Sequence, residues 1–293
     1  MTFDIVVSEL SLKYGEFYAL KNVSFQLQEG KIYGFLGRNG AGKTSLLSLL
    51  ASYREPTEGT IQIGGETPFE NEKVMQHVVF MHEKDYSDES DTVKGLLEFY
   101  ERYRPYYDRD YAIHLLNQFN ISLNKKVKAL SKGKQAALNA AIGLACRAPI
   151  TIFDETYLGM DAPTREIFYK ELLEDHAKHP RTVILSTHLV SEMDYLFHEV
   201  LIIDQGALLY HEDYDTFVSR GVSITGAANH VDAFVAGMNV IAEKQLGNTK
   251  QVMVFESLSE QFQKEAVQNG LEIGSISLQD LFIHLTGEAE RKR

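Results

Sequence analysis

Short apolar runs punctuated by glycine open the chain. Ile5 to Leu10, Val23 to Leu27, Lys31 to Leu36, Thr60 to Ile63 and Val78 to Met81 are rich in β-branched or aromatic residues, which predicts strands. After Gly42 the period changes, and Leu46, Leu47, Leu49 and Leu50 crowd one side of a helix. From about residue 85 to 147 the pattern is helical, with aromatics at Phe99, Tyr100, Tyr103, Tyr106, Tyr107 and Tyr111. This predicts a helical lobe whose tyrosines either pack in a core with wet hydroxyl tips or form an exposed docking surface. Strand and helix then alternate: Ile150 to Asp154, a helix from Pro163 to about His176, Thr182 to Ser186, a helix near Ser191 to Phe197, and Val200 to Asp204. That order predicts a mainly parallel sheet flanked by helices, beside an antiparallel β subdomain from the early strands. After about Arg220 the pattern starts afresh. A strand at Val222 to Thr225, a helix near Val231 to Met238, a strand at Gln251 to Phe255, a helix near Ser259 to Asn269 and a last helix from Leu278 to Leu285 predict a small α+β appendage. The expected division is 1–219 and 220–293.

Composition adds limits. A chain of 293 residues, 44% hydrophobic, can bury one large core and a small second one. No stretch approaches the roughly 20 uninterrupted apolar residues of a membrane helix; the longest run, Ala140 to Phe153, is cut by Arg147 and Pro149. Met1 to Leu10 lacks the basic and then apolar pattern of a secretory leader, so a cytoplasmic location is expected. A lone Cys146 can build neither a disulfide framework nor a cysteine metal site and reads as a core filler. The net charge of -12, with no basic block longer than Lys125, Lys126 and Lys128, argues against non-specific nucleic-acid binding.

Against that acidic background one segment is built for an anion. Gly37-Arg38-Asn39-Gly40-Ala41-Gly42-Lys43-Thr44, followed by Ser45, fits the phosphate-loop pattern in full, and it follows a strand and opens a helix. Glycines let backbone N–H groups turn inward around phosphates, the helix points its positive end at them, Lys43 adds charge and Thr44 offers a hydroxyl to Mg2+. The chain is therefore expected to be an α/β phosphate-loop NTPase that uses ATP and Mg2+. Downstream, Ile150 to Glu155 reads as a buried strand ending in two acids. Asp154 can hold the metal, and Glu155 can take a proton from a water attacking the γ-phosphate.

From residue 2 to about 219 the chain resembles the nucleotide-binding subunit of an ABC transporter. The resemblance places Tyr14, in Lys13-Tyr14-Gly15, where the family stacks an aromatic on adenine, and Leu130-Ser131-Lys132-Gly133-Lys134 where its signature loop contacts ATP held by the opposite subunit. Gly159-Met160-Asp161 resembles the loop that couples two sites, and Ser186-Thr187-His188 the switch histidine that senses the γ-phosphate. Three places depart from the pattern. Lys132 and Lys134 stand where a glycine and a glutamine are usual, Glu83 where a glutamine reaches metal and water, and Thr156 where a proline is usual. The Lys-Gly signature, Glu83, Tyr106-Tyr107-Asp108 and the ending from Ser277 to Gly287 resemble type-2 ABC exporters of Gram-positive bacteria, including those in operons with a GntR-type repressor.

That resemblance implies a subunit on the inner face of the cell membrane. It would work as a homodimer or with a second ATPase subunit, and power export of drugs or of antimicrobial or amphipathic peptides through a separate integral-membrane permease. The competing readings are a soluble ABC ATPase that moves no solute and a hydrolysis-poor regulatory subunit of a heteromer.

Overall fold

A computed structural model of the chain describes residues 2–291. In chain order it runs β1 (Ile5–Tyr14), β2 (Phe17–Leu27), β3 (Ile32–Leu36), α1 (Lys43–Leu50), β4 (Glu58–Ile63), α2 (Glu72–Met75) and β5 (Val78–His82). The helical lobe follows, with α3 (Val93–Tyr103), α4 (Arg109–Gln118) and α5 (Lys132–Ala145). Next come β6 (Ile150–Asp154), α6 (Ala162–Lys178), β7 (Thr182–Thr187), α7 (Val190–Met193), β8 (Glu199–Asp204), β9 (Ala207–Asp213) and α8 (Tyr214–Ser219). The chain closes with β10 (Gly221–Ala227), α9 (Ala228–Phe234), β11 (Val240–Leu246), β12 (Thr249–Phe255), α10 (Glu260–Gln268), β13 (Glu272–Ser275) and α11 (Leu278–Arg291).

The central sheet has the order β5-β6-β7-β3-β8-β9, parallel except for β9. Every residue of β3, β6 and β7 is buried, which is why these strands read as unbroken apolar runs: helices cover both faces. Their carboxyl ends lie side by side, where open parallel sheets gather ligand-binding loops. β9 was not expected from the pattern. Gln205 and Gly206 both take positive φ, 47° and 80°, the backbone that turns a strand back in a two-residue hairpin, so β9 returns along the sheet edge. A second sheet, β2-β1-β4, is antiparallel.

In the helical lobe the aromatics divide between core and surface. Tyr100, Tyr107 and Tyr111 pack against the main core, while Phe99, Tyr103 and Tyr106 are exposed. Cys146 is fully buried, which pushes its thiol up to about 12. The helix expected near Ser191 to Phe197 is shorter: α7 ends at Met193, and Asp194–Leu196 tighten into a 3-10 turn.

The last sheet has the order β11-β12-β10-β13, all antiparallel, with α9 and α10 in the connections. This is the β-α-β-β-α-β arrangement of ferredoxin-like folds. Val222, Ile224, Val231, Val252, Val254, Ala266 and Leu271 form a small core. The opposite face joins the main core through Ile241, Ala242, Met253 and Phe255, where Leu278, Leu281 and Phe282 of α11 also lie. α11 packs on β11 and against α7.

Candidate nucleotide site

At the end of β3 the loop from Gly37 to Gly42 turns into α1. Gly42 sits at φ 108°, and a Cβ there would lie 2.7 Å from the Ala19 carbonyl oxygen, so both conformation and space require glycine. The loop is braced from the side. Gly206 N–H donates to Ala41 O at 2.9 Å, and Lys21 N–H donates to Gly206 O at 2.8 Å. The first N–H groups of α1 have no carbonyl within the helix to bind. Lys43 is buried; its Nζ donates to Gly37 O at 2.6 Å and lies 3.5 Å from Glu155 Oε1. Thr44 is exposed and Ser45 half-buried at the mouth.

The parallel pairing of β6 with β7 sets Asp154 beside Ser186. Asp154 is buried and its Oδ1 has no hydrogen-bond partner, a costly condition for an acceptor away from water. Glu155, with φ 52°, leaves the strand in the left-handed region, a strain of about 1 to 3 kcal/mol of the kind found at functional sites. Its N–H donates to Ser186 O at 3.3 Å. His188 Nδ1 lies 3.0 Å from Glu155 Oε1; an ionised carboxylate only accepts, so the ring nitrogen donates. The structure thus gathers Lys43, Glu155 and His188, drawn from three loops, around one carboxylate oxygen. Behind them the Tyr157 hydroxyl donates to Thr187 Oγ1. Burial pushes the Tyr157 phenol well above its usual range, so it stays a neutral donor.

Glu83, just past β5, is exposed and shares a cavity of about 260 Å³ with Glu155, Lys132 and Gly159. Tyr14 ends β1, half exposed beside its strand partner Phe17. The Arg54 guanidinium lies over the Tyr14 ring at 4.9 Å, a neighbour that nothing in the sequence pattern announced.

Ser131, Gly133 and Asp161 make a second group. Lys134 N–H donates to Ser131 Oγ at 3.4 Å, and Ser131 is the N-cap of α5. A Cβ on Gly133 would lie 2.7 Å from the Gly159 carbonyl oxygen, so the loop at Ser131 to Lys134 rests on the Gly159 to Asp161 loop of the same chain. Asp161 caps α6 by accepting from Thr164 N–H at 3.0 Å. Hydrogen bonds with Thr164 hold its carboxyl below the usual range. Sequence reasoning missed Arg165 and Glu192, which tie this group to α7, just beyond His188.

The sequence profile described as ABC transporter matches residues 20–157. The ABC transporter ATP-binding protein NatA of Bacillus subtilis is 30% identical over 200 residues, 66% of this chain and 80% of NatA. The chain belongs to the ATP-binding proteins of ABC transporters. It is an ABC transporter ATPase, and its phosphate-loop fold carries the mainly parallel sheet, antiparallel subdomain and helical lobe expected of it. Other ABC ATP-binding proteins match over nearly their whole length. YtrB of B. subtilis is 26% identical over 93% of this chain and 94% of its own, and the bacitracin transport protein BcrA of Bacillus licheniformis is 26% identical over 98% of each. Among solved structures, an ATP-binding cassette captured as a dimer with ADP and Pi aligns at TM-score 0.61 and 21% identity, over 72% of this chain and 98% of that one.

Among the described residues, no helix of this ABC ATPase is long and apolar enough to cross a membrane.

Proposed function

We propose that this ABC ATPase powers export through a separate integral-membrane permease at the inner face of the cell membrane, with drugs or antimicrobial or amphipathic peptides as cargo. The observation that carries the catalytic part is the meeting of Lys43 and His188 on one oxygen of Glu155. Glu155 is the base that accepts a proton from the water attacking the γ-phosphate, and Lys43 supplies charge at the β- and γ-phosphates. His188 orients that base through its Nδ1 contact and is the residue that senses the γ-phosphate. Gly37, Arg38, Asn39, Gly40, Ala41, Gly42, Thr44 and Ser45 wrap the phosphates, and Tyr14 stacks on adenine.

The unpartnered buried Oδ1 of Asp154 and the hydroxyl of Thr44 are hard oxygen donors that suit Mg2+. In this reading Glu83, which shares a cavity with Glu155, would be a third oxygen donor, and the ion, when bound, neutralises charge on the β- and γ-oxygens.

The export reading is supported by the Lys-Gly signature at Lys132-Gly133 and by the likeness to BcrA, a bacitracin transport protein by name. We place the working unit as two cassettes, with Ser131, Gly133 and Asp161 of one reaching ATP held by the Lys43 loop of the other. For the permease, the exposed Tyr53 and Tyr103, with Phe80 and Arg104, line a cavity of about 460 Å³ on the helical lobe side, suited to an apolar-tipped segment. Residues 1–219 form the ATPase domain in this reading, and residues 220–293 add a C-terminal domain that stabilises it or contacts the second subunit.

Glu155→Gln tests the core of the reading. Calorimetry should show Mg-ATP binding retained and mass measurement a dimer trapped with ATP, while turnover falls by 100-fold or more. Undiminished turnover overturns the base, and no heat from the wild type with Mg-ATP overturns the nucleotide site.

A further inference from the structure

Arg165 lies outside the loops that touch nucleotide in the reading above, in the first turns of α6. Its guanidinium nevertheless joins one of them to the helix that follows another. Nε donates to Glu192 Oε2 at 2.7 Å and Nη2 to Glu192 Oε1 at 2.9 Å, a bidentate fork on one carboxylate. The remaining arm, Nη1, donates to the backbone carbonyl of Met160 at 2.8 Å. Met160 is the middle residue of the Gly159-Met160-Asp161 loop, and Glu192 lies on α7, four residues beyond His188.

We propose that Arg165 is a positioning residue that locks the Gly159-Met160-Asp161 loop to the His188 segment, so that the two move as one piece. The proposal rests on the reading of Glu155 and His188 as the hydrolytic pair, and it assigns a physical link that neither loop provides alone.

The geometry supports this in two ways. Gly159, on one side of the lock, is the residue whose carbonyl packs on Gly133 at the start of α5. His188, on the other side, is the residue bonded to Glu155. Beside the direct path along the chain from Gly159 back to Glu155 and the Tyr157–Thr187 bond, a second line runs Gly133, Gly159, Met160, Arg165, Glu192, α7, His188, Glu155. In that second line Arg165 is the side chain that bonds both the 159–161 loop and α7. A lysine would not serve, because its one ammonium on a flexible stem lacks the planar fork that meets a carboxylate and a carbonyl at fixed angles. The pair is partly exposed, at 20% and 36%, so its worth as a fold-stabilising ion pair is small.

The test uses the full chain. Arg165→Ala and Glu192→Ala should each lower kcat about tenfold or more while the Kd for Mg-ATP stays within twofold of wild type and the Tm within a few degrees. Arg165→Lys should regain only part of the rate. The double variant should be no slower than the slower single variant, because both remove the same lock. Hydrogen exchange on the nucleotide-free chain gives a readout independent of turnover. In Arg165→Ala the segments 158–162 and 187–193 should both exchange faster, with residues 37–46 unchanged. The proposal is overturned by a wild-type kcat in Arg165→Ala, by additive losses in the double variant, by full recovery in Arg165→Lys, or by loosening of one segment without the other. A wild-type chain that neither binds nor hydrolyses Mg-ATP would instead remove the hydrolytic reading, and the exchange result would still decide the lock.

Discussion

The two groups of functional loops differ in what their polar atoms are doing. Around Lys43, Asp154, Glu155 and His188, side chains from separate loops converge on one carboxylate oxygen, and Asp154 Oδ1 is left without a partner. Around Ser131, Gly133 and Asp161 the side chains are occupied at home: Ser131 and Asp161 cap the helices that follow them, and Gly133 rests on Gly159. The first group is a site within one chain. The second offers chiefly backbone N–H groups and a precise loop shape, which suits a surface completed by a second subunit.

Substitutions can break that contrast. Lys43→Ala should have the largest effect. It removes a charged donor from the phosphates, so Mg-ATP affinity measured by calorimetry should fall on the order of 10- to 150-fold, from about 1.5 to 3 kcal/mol for a charged hydrogen bond. An unchanged Kd would mean that the loop does not grip the phosphates. Gly133→Ala should come next and sharpen the contrast, since its Cβ would press on Gly159 O at 2.7 Å and shift the coupling loop. Kd should hold while kcat falls about tenfold, with a stability cost of about 1 to 3 kcal/mol for the overpacking. Equal losses in both constants would show that the two groups are not separable.

The smallest effect is on stability and leaves both groups intact. Burial holds the His176 ring below its usual value of 6.5, outweighing its bond with Arg181 O at 2.9 Å. The folded chain thus binds fewer protons there than the unfolded chain, so this contribution is complete above about pH 6.5 and is lost as pH falls through the lower folded value. The Tm should drop on acidification from about pH 7.5 toward 5.5, and His176→Gln should flatten that slope.

Much of this was readable in the chain itself. β6 was legible because a strand buried on both faces is almost wholly apolar, and its run from Ile150 to Phe153, broken only by the small Thr151, stops at the acid that ends the strand. The phosphate loop was legible because its glycines answer a backbone demand that few other residues meet. The edge strand β11 was not: after Val240, Ile241 and Ala242 it runs Glu243-Lys244-Gln245, exposed, and an edge strand with one polar half lacks the alternation that marks a strand. The short β13 fails for the same reason. Arg165 and Glu192 are 27 residues apart on different elements, and charged residues on helices are too common for pattern alone to pair them. Lys134 and Lys132 stood out as departures, yet the packing of Gly133 on Gly159 could be seen only with both loops in place.

The contact between α11 and α7 bears on how the protein could be trimmed. The ferredoxin-like unit has a small core of its own, yet its other face is continuous with the interior of the motor. Phe255 meets Phe217 with ring centroids 5.1 Å apart and carries the Arg220 guanidinium at 4.2 Å. A stop codon after residue 219 would therefore strip the oily backing from Val190, Met193 and Phe217. What remained would be a motor with α7 unsupported and water where the keystone had been.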